Sequence, residues 1–316
     1  MFTLRKVGII GCGHVGSHVA FSLATQGLVD ELYMADCDKP KAFAQAMDVN
    51  DAVTYLPHHV VAHSCDVEDM TDCDIIVFCA GPLPGVNESR LASLPKTIEV
   101  LKDVVPRIQK SGFNGIIVSI SNPADVVAAY IQKKLNWPKN RILSTGTGLD
   151  SSRLLRLLNE TLGVNRRSIQ AFAMGEHGGA CMVPWSFVKV GGKPLAELQK
   201  EKPELYPTFD QAKMVEDVKD GGYIVYRGKG STEFGIASTC AEIIRAIFHN
   251  EHKVMPSSVL LEGEYGEEDV FTSVPVMLYA GGIEQIIEIE MTDEEKAQFH
   301  ASNEIIRDYT KRALEM

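Results

Sequence analysis

The run KVGIIGCGHVGSHVA, residues 6–20, carries three glycines in the spacing G-x-G-x-x-G, after an apolar stretch and before a helical pattern. In a strand–turn–helix unit, Gly11 permits the tight turn, Gly13 lets a pyrophosphate approach the backbone, and Gly16 allows the helix to pack closely on the strand. The N-terminus of the helix, with Val15 in its first turn, then faces the phosphates. The run predicts a dinucleotide-binding turn in which these four residues bind the cofactor.

The alternation of apolar runs and helical patterns predicts the fold. Over the first 145 residues the apolar runs are KVGIIG, ELYMAD, DIIVFCA and NGIIVSI. Near-continuous apolar strands between helices are typical of a parallel sheet covered on both faces, here a Rossmann doubly wound sheet. Farther along, helices at 209–226 and 234–249 precede antiparallel strands with glycine turns and a closing helix. We expect an NAD-binding domain at 1–144 and an α/β substrate-binding domain at 145–316.

An acidic residue after the second apolar run predicts which cofactor binds. Asp36 lies twenty residues after Gly16. A carboxylate there accepts hydrogen bonds from the ribose hydroxyls and repels a 2′-phosphate, which favours NAD over NADP. The alternative is that Asp36 only caps the following loop. We also assign Ala80 and Gly81, which end the run DIIVFCAG, to the predicted cofactor site.

Charge and composition exclude several classes of partner. The formal net charge of −11 argues against nucleic acid and anionic membranes, but not against a small anionic substrate. No apolar run approaches the length of a membrane span, and no signal peptide is evident, so we expect a cytoplasmic protein. The seven cysteines form no CxxC pair, and no second ligand cluster accompanies His58, His59 and His63, so no metal site is expected.

Several polar residues could together reduce a 2-oxo acid. Such a reaction needs a proton donor near neutrality, a group that orients it, and cations for the carboxylate and the carbonyl oxygen. The stretch FAMGEHGGACMVPW offers His177, although a surface turn containing a histidine is the alternative. Asp150 and Arg153 lie three apart in GLDSSRLL, and Arg90 lies in the loop GPLPGVNESRLASLP, which could form a lid. Asp150 could instead be an ordinary helix-terminal acid, Arg153 a helix-surface arginine and Arg90 a solvated loop arginine.

The motifs GCGHVG, SNP, GTGLDSSR and MGEHGG, in this order, resemble those of the L-lactate/L-malate dehydrogenase family. KGSTEFGIAS and GEYGEEDVFTSVPVMLYAGGI extend the resemblance almost to the C-terminus. Within the family, the motifs are most similar to those of L-lactate and L-2-hydroxyisocaproate dehydrogenases.

The resemblance implies a role for each of the polar residues. His177 would be the acid/base, with Asp150 as its orienting partner. Arg153 would bind the substrate carboxylate, and Arg90 would polarise the carbonyl. Asn122 would contact the nicotinamide side of the site, and Thr232 would line the substrate pocket. The resemblance also implies a homo-oligomer, either a tetramer or a dimer.

The chain departs from this family at the positions that select the substrate. The position where malate dehydrogenases are expected to carry an additional arginine falls on Pro84, and no cation precedes Arg90 in the loop, which disfavours oxaloacetate. Gly221 and Gly222 stand where many lactate dehydrogenases have alanines, which predicts a larger pocket, with Pro84 and Gly222 among its lining. The loop nevertheless lacks the insertion associated with hydroxyisocaproate enzymes.

The function expected from these features is that of an NAD-dependent L-2-hydroxyacid dehydrogenase acting on L-lactate and pyruvate. The alternative is an enzyme of the L-2-hydroxyisocaproate type, for larger 2-oxo acids. Malate dehydrogenase and a non-catalytic NAD-sensing module are less expected. Many bacterial lactate dehydrogenases bind fructose 1,6-bisphosphate through an arginine and a histidine, where this chain has Leu155 and Phe172, so no such activation is expected.

Overall fold

The computed structural model describes residues 3–82 and 90–316, and its centre is a nine-stranded sheet. The strand order is β12-β11-β10-β6-β5-β4-β1-β2-β3, and β7, β8 and β9 form a small separate sheet. The strands are β1 Lys6–Ile10, β2 Glu31–Ala35, β3 Val61–Ser64, β4 Ile75–Phe78, β5 Ile116–Ser119, β6 Ile142–Ser144, β7 Ile169–Gln170, β8 Lys189–Val190, β9 Lys193–Pro194, β10 Lys253–Glu262, β11 Glu268–Tyr279 and β12 Gly282–Ile286.

Helices cover the sheet and connect its strands. They are α1 His14–Thr25, α2 Lys39–Val53, α3 Leu94–Ser111, α4 Ala124–Leu135, α5 Gly148–Leu162, α6 Leu195–Glu201, α7 Gln211–Lys229, α8 Phe234–Phe248 and α9 Asp293–Glu315. α3 shows why they form where they do, since its residues at 94, 98, 101, 105 and 108 recur at helical spacing and are buried. It ends at Gly112, whose φ of 76° favours glycine.

The six strands from β1 to β6 confirm the predicted Rossmann sheet. They are parallel, and the chain order reverses between β1 and β4, which lie side by side. In a doubly wound sheet, the crevice at the carboxyl ends of two such strands binds the ligand. The turn that follows β1 and residues 79–82, which follow β4, both open into this crevice.

The antiparallel strands β10, β11 and β12 continue the parallel sheet of the first half of the chain. β10 pairs antiparallel with β6 through Ser258 and Ser144, and β11 and β12 extend the same sheet. The main hydrophobic cluster likewise contains residues from both halves, among them Leu143 and Phe271. The domain boundary after residue 144 therefore stays a prediction, and the backbone pairing runs across it.

Two smaller differences concern the lengths of elements. α7 begins and ends two to three residues later than the predicted 209–226, because Asp210 caps its N-terminus and Gly230, with φ 81°, ends it. β3 was not predicted. It is a four-residue edge strand with mostly exposed or half-exposed side chains, so it has no apolar run to reveal it.

Candidate active site

The glycine turn after β1 has the geometry expected of a dinucleotide-binding turn. Gly11 has φ 97°, and a Cβ there would lie 2.6 Å from the backbone nitrogen of Ala80. A Cβ on Gly16 would lie 1.9 Å from the carbonyl oxygen of Gly11, so any side chain would separate α1 from the turn. At Gly13 the space is open, because Nζ of Lys41, at 3.9 Å, is the only neighbour of a Cβ within 4 Å among the described residues. The backbone is thus accessible where a pyrophosphate would bind.

Asp36 is held by the same turn. One carboxylate oxygen accepts a hydrogen bond from the amide of Cys12 at 2.7 Å, and the other accepts one from the amide of Asp38 at 3.0 Å. Burial opposes ionisation of this carboxyl group, but the two amides and the nearby ammonium of Lys41 keep its pKa below the ordinary value. An ionised carboxylate fixed at the end of β2 suits ribose hydroxyls and disfavours a 2′-phosphate.

The other predicted cofactor residues lie around the same crevice. The carbonyl oxygen of Ala80 accepts a hydrogen bond from Ser121 at 2.7 Å, and Gly81 is exposed beside it. Oδ1 of Asn122 is buried without a hydrogen-bond partner in the described part of the chain. Its backbone oxygen, by contrast, accepts a bond from Thr97 at 3.0 Å. An unpaired acceptor at this edge of the sheet fits the carboxamide of a nicotinamide. Val15 is half-buried in α1 and packs against the main hydrophobic cluster.

His177, Asp150 and Arg153 come together as one hydrogen-bonded unit. Nδ1 of His177 lies 2.5 Å from Oδ2 of Asp150, and Nη1 of Arg153 lies 3.0 Å from Oδ1 of the same carboxylate. All three side chains are at least nine-tenths buried. Asp150 and Arg153 share one face in the first turn and a half of α5, while His177 reaches them from a turn twenty-seven residues further along the chain. A buried acid/base held in a fixed tautomer by a carboxylate is the arrangement that proton transfer requires.

Two family models establish what kind of chain this is. Residues 5–144 match the lactate/malate dehydrogenase NAD binding domain, and residues 147–316 match the lactate/malate dehydrogenase alpha/beta C-terminal domain. The chain belongs to the lactate/malate dehydrogenase family.

Individual members of the lactate/malate dehydrogenase family are similar over the full length. An L-lactate dehydrogenase 3 from Bacillus thuringiensis subsp. konkukian is 39% identical, with 97% of each chain covered. The ligand-bound crystal structure of the minor L-lactate dehydrogenase from Enterococcus mundtii has a TM-score of 0.93 at 33% identity, covering 98% of this chain and 99% of that one. A lactate dehydrogenase from a Medee basin deep-sea metagenome library also has a TM-score of 0.93, at 32% identity over 99% of both chains.

Two of the glycines beside His177 lie against other side chains of the protein. A Cβ on Gly175, which has φ 85°, would lie 2.5 Å from Oγ of Ser302, and a Cβ on Gly178 would lie 2.1 Å from the carboxylate of Glu176. These two glycines therefore make room for the protein's own side chains. Only at Gly179 would a Cβ meet no described atom within 4 Å.

Some of the residues predicted to line the substrate pocket are described by the structure, and others are not. Thr232 lies between α7 and α8, and Gly222 is buried in α7. A Cβ on Gly221 would lie 3.1 Å from Cδ of Arg153, so this glycine gives space to the arginine that would bind the carboxylate. Arg90 begins a short 3-10 helix at Arg90–Ser93. Pro84 lies outside the described residues, as do Leu83 and Val86.

An ion cluster beside Thr232 was not found by sequence analysis. The buried carboxylate of Glu233 accepts a hydrogen bond from Nδ1 of His14 at 2.8 Å and pairs with Lys229. Burial opposes its ionisation, but the hydrogen bond from Lys229 and the neighbouring His18 leave its pKa below the ordinary value. Because His14 is the first residue of α1, the cluster joins the cofactor turn to the segment that carries Thr232. The sequence signal for this cluster was the acidic residue Glu233 directly before the apolar start of α8.

Neither a cluster of metal-ligating side chains nor a membrane-spanning helix occurs among the described residues. In residues 3–82 and 90–316, no group of three or more histidine, cysteine, aspartate or glutamate side chains could hold a metal ion. No helix in the same ranges is long and apolar enough to cross a membrane.

Proposed function

We propose that this protein is an NAD-dependent L-lactate dehydrogenase that interconverts pyruvate and L-lactate. The observation that carries the proposal is the buried unit of His177, Asp150 and Arg153 at the crevice of a dinucleotide-binding sheet. Membership of the lactate/malate dehydrogenase family and the full-length likeness to enzymes named L-lactate dehydrogenase support it.

In the proposed mechanism, the residues of the unit divide the work. Bound NADH supplies the hydride for the carbonyl carbon of pyruvate. Arg153 binds the substrate carboxylate through its guanidinium, which suits a planar, two-oxygen partner. Since Nδ1 of His177 is bonded to Asp150, the proton that goes to the carbonyl oxygen comes from Nε2. Asp150 stabilises the imidazolium before transfer and keeps the ring oriented after it.

The second arginine of the proposed site is Arg90. A cation near the carbonyl oxygen stabilises the negative charge that develops there during reduction. Its place at the end of the loop between β4 and α3 suits this role, because that loop follows the carboxyl end of a central strand.

A second candidate function is reduction of 2-oxo acids with longer side chains. The buried Gly222 on α7 and the apolar residues of the loop around Pro84 favour it. Each additional buried methylene stabilises binding by about 0.8 kcal/mol where the pocket has room. Oxaloacetate should be a poor substrate, because no cation precedes Arg90 in its loop to pair with a second carboxylate.

We also propose a cytoplasmic homo-oligomer, either a dimer or a tetramer. Large apolar side chains are exposed on α2 and just after it, where Phe43 is 61% and Tyr55 91% exposed, and on α7 and α8, where Ile224 is 68% and Phe234 66% exposed. Contact between copies of the chain would remove this surface from water. Sedimentation velocity at micromolar concentration tests the proposal, and a single monomeric species would contradict it.

Initial rates with a panel of 2-oxo acids test the proposed reaction. Pyruvate, 2-oxobutyrate, 2-oxoisocaproate and oxaloacetate are each supplied with NADH, and pyruvate also with NADPH. We expect NADH oxidation with pyruvate, weak activity with NADPH and little with oxaloacetate. Values of kcat/KM that rise with chain length would favour the second candidate, and a steep fall from pyruvate to 2-oxobutyrate would exclude it. NADH binding with no turnover of any acid would point instead to a non-catalytic NAD-sensing module.

A further inference from the structure

The backbone of the turn that carries His177 is held by three different elements. The amide of Gly175 donates to the carbonyl oxygen of Ser273 on β11 at 3.0 Å. The next amide, of Glu176, donates to Oγ of Ser302 on α9 at 2.8 Å. The amide of His177 itself donates to Oδ2 of Asp125 on α4 at 2.9 Å. Three consecutive amides are thus fixed, and Asp125 is the partner of the residue proposed to move the proton.

Asp125 is an unusual partner, because its carboxyl group is almost entirely buried and has no cation. The residue is 2% exposed, and no lysine or arginine among the described residues forms an ion pair with Asp125. Its other oxygen, Oδ1, is buried without a hydrogen bond of normal geometry, and the hydroxyl of Ser258 on β10 lies beside it. Burying a lone carboxylate is costly, whereas a protonated carboxyl group can both donate and accept.

The position of Asp125 in the chain connects the two halves of the proposed reaction. It lies three residues after Asn122, which is proposed to contact the nicotinamide, in the motif SNPAD. The short segment from Asn122 into the first turn of α4 therefore carries the proposed cofactor residue and the group that holds the backbone of His177. A shift of Asp125 would move the proton donor relative to the hydride donor.

We propose that Asp125 is a positioning residue for the proposed dehydrogenase reaction, one that fixes His177 relative to Asn122 through hydrogen bonds made by a neutral carboxyl group. This inference rests on the proposed function and names a residue that acts through His177 without touching the substrate. Burial raises the pKa of Asp125 to about 7, and the nearby carboxylate of Glu176 adds to the effect. A group in this state is available in its protonated form near neutral pH.

Two substitutions at this position separate the hydrogen bond from the charge. Asp125→Asn keeps an acceptor for the amide of His177 and a donor for Ser258, and it removes the ionisable group. Asp125→Ala removes the acceptor for the amide of His177 and the contact with the hydroxyl of Ser258. We expect kcat of Asp125→Ala to fall by about 10²-fold, the effect of a misplacement of roughly 1 Å, with the Kd of NADH unchanged. We expect kcat of Asp125→Asn to stay close to wild type at pH 6, and its rate of pyruvate reduction to fall less steeply than that of wild type above pH 7, where Asp125 ionises. An alanine variant as active as wild type, or an asparagine variant as impaired as alanine, would overturn the inference.

A second pair of variants covers the case in which Asp125→Ala does not fold. Ser258→Ala removes the hydroxyl beside Asp125, and Ser257→Ala is the matched control. Ser257 is the adjacent residue of β10, is also 0% exposed with an unpaired Oγ, and points to the opposite face of the sheet. We expect a several-fold loss of kcat for Ser258→Ala and none for Ser257→Ala. Equal kcat values for the two would overturn the inference.

A readout without turnover distinguishes this inference from the proposed function. The imidazole signals of His177 in ¹⁵N-labelled protein can be identified as those missing in His177→Asn. We expect them to shift in Asp125→Ala and to stay in place in Asp125→Asn. If wild type reduced no 2-oxo acid, the proposed function would fail, but this comparison would still report whether Asp125 places His177. Unchanged signals in the alanine variant would overturn the inference alone.

Discussion

The ring of His177 is fixed by Asp150, whose Oδ2 lies 2.5 Å from Nδ1 of the imidazole. The second oxygen of that carboxylate lies 3.0 Å from Nη1 of Arg153. One side chain therefore sets the positions of the proposed proton donor and of the proposed carboxylate-binding group. Displacement of Asp150 would affect both at once, so substitutions of each partner alone are more informative about mechanism.

Replacing His177 by asparagine should abolish turnover and leave cofactor binding intact. The glycine turn and Asp36 are separate from the histidine in the chain, and acid/base groups usually contribute roughly 10²–10⁴-fold to the rate. Stopped-flow turnover of pyruvate and fluorescence titration with NADH measure the two effects. A variant with more than about a tenth of the wild-type kcat would contradict the acid/base role.

An alanine at position 221 should weaken binding of the substrate carboxylate. Its Cβ would press on Cδ of Arg153 at 3.1 Å, whereas a Cβ at Gly228 on the same helix would meet no described atom within 4 Å. An overpacking cost of about 1 kcal/mol would raise the KM of pyruvate roughly fivefold. Gly228→Ala is the control and should leave KM unchanged. Equal KM values for both variants would show that Gly221 does not govern Arg153.

Fructose 1,6-bisphosphate should not activate the protein. The position at which related enzymes carry a phosphate-binding histidine is occupied by Phe172, whose ring stacks on that of Phe187 at a centroid distance of 5.5 Å. Leu155 packs against the smaller hydrophobic cluster. Phosphate beside these two residues would lose water without gaining a charged partner. Pyruvate saturation curves with and without millimolar bisphosphate should coincide, and a leftward shift on addition would refute this.

Stability should depend on pH through Asp125. Its pKa is raised from 3.8 to about 7 in the folded protein, so the native state holds this proton more tightly than the unfolded chain does. The resulting stabilisation is complete below pH 3.8 and is lost as the pH rises towards 7. Asp125→Asn has no ionisable group at this position. The free energy of unfolding of wild type should therefore fall relative to that of the variant between about pH 4 and pH 7, and the difference between the two should stay constant above pH 7. Urea unfolding across this range measures the difference, and a constant offset would contradict the raised pKa.

An exposed thiol should be alkylated in the native protein, and NADH should protect it. Cys37 is exposed, and its Sγ lies 3.5 Å from Oδ1 of Asp36, in the proposed ribose site. Burial raises the pKa of Cys12, Cys65 and Cys73 to about 12, which leaves little thiolate for reaction. Alkylation with iodoacetamide followed by mass spectrometry should find the label on Cys37, and Cys37→Ser should remove it. Labelling at an equal rate with saturating NADH would place the cofactor elsewhere.

The sequence was sufficient to predict the fold where the local pattern of residue types matches the burial of their side chains. The glycines at 11, 13 and 16, the acid at 36 and the apolar runs are local signals, and the Rossmann sheet follows from them. The pairing of β10 with β6 could not be predicted, because it joins residues more than a hundred positions apart and leaves no periodicity in either strand. Asp125 was missed for a related reason. An acid at the start of a helix is ordinary, and only the tertiary fold shows that it is buried against the amide of His177.

The continuous sheet has a consequence for any attempt to split the gene after the codon for Ser144. The first fragment would expose the edge of β6, and the second would expose β10, its partner across the cut. Unpaired strand edges beside an exposed apolar core are templates for aggregation. Each fragment made alone should therefore be insoluble, whereas the two made together in one cell should rejoin along this edge, since each offers the other its missing neighbour.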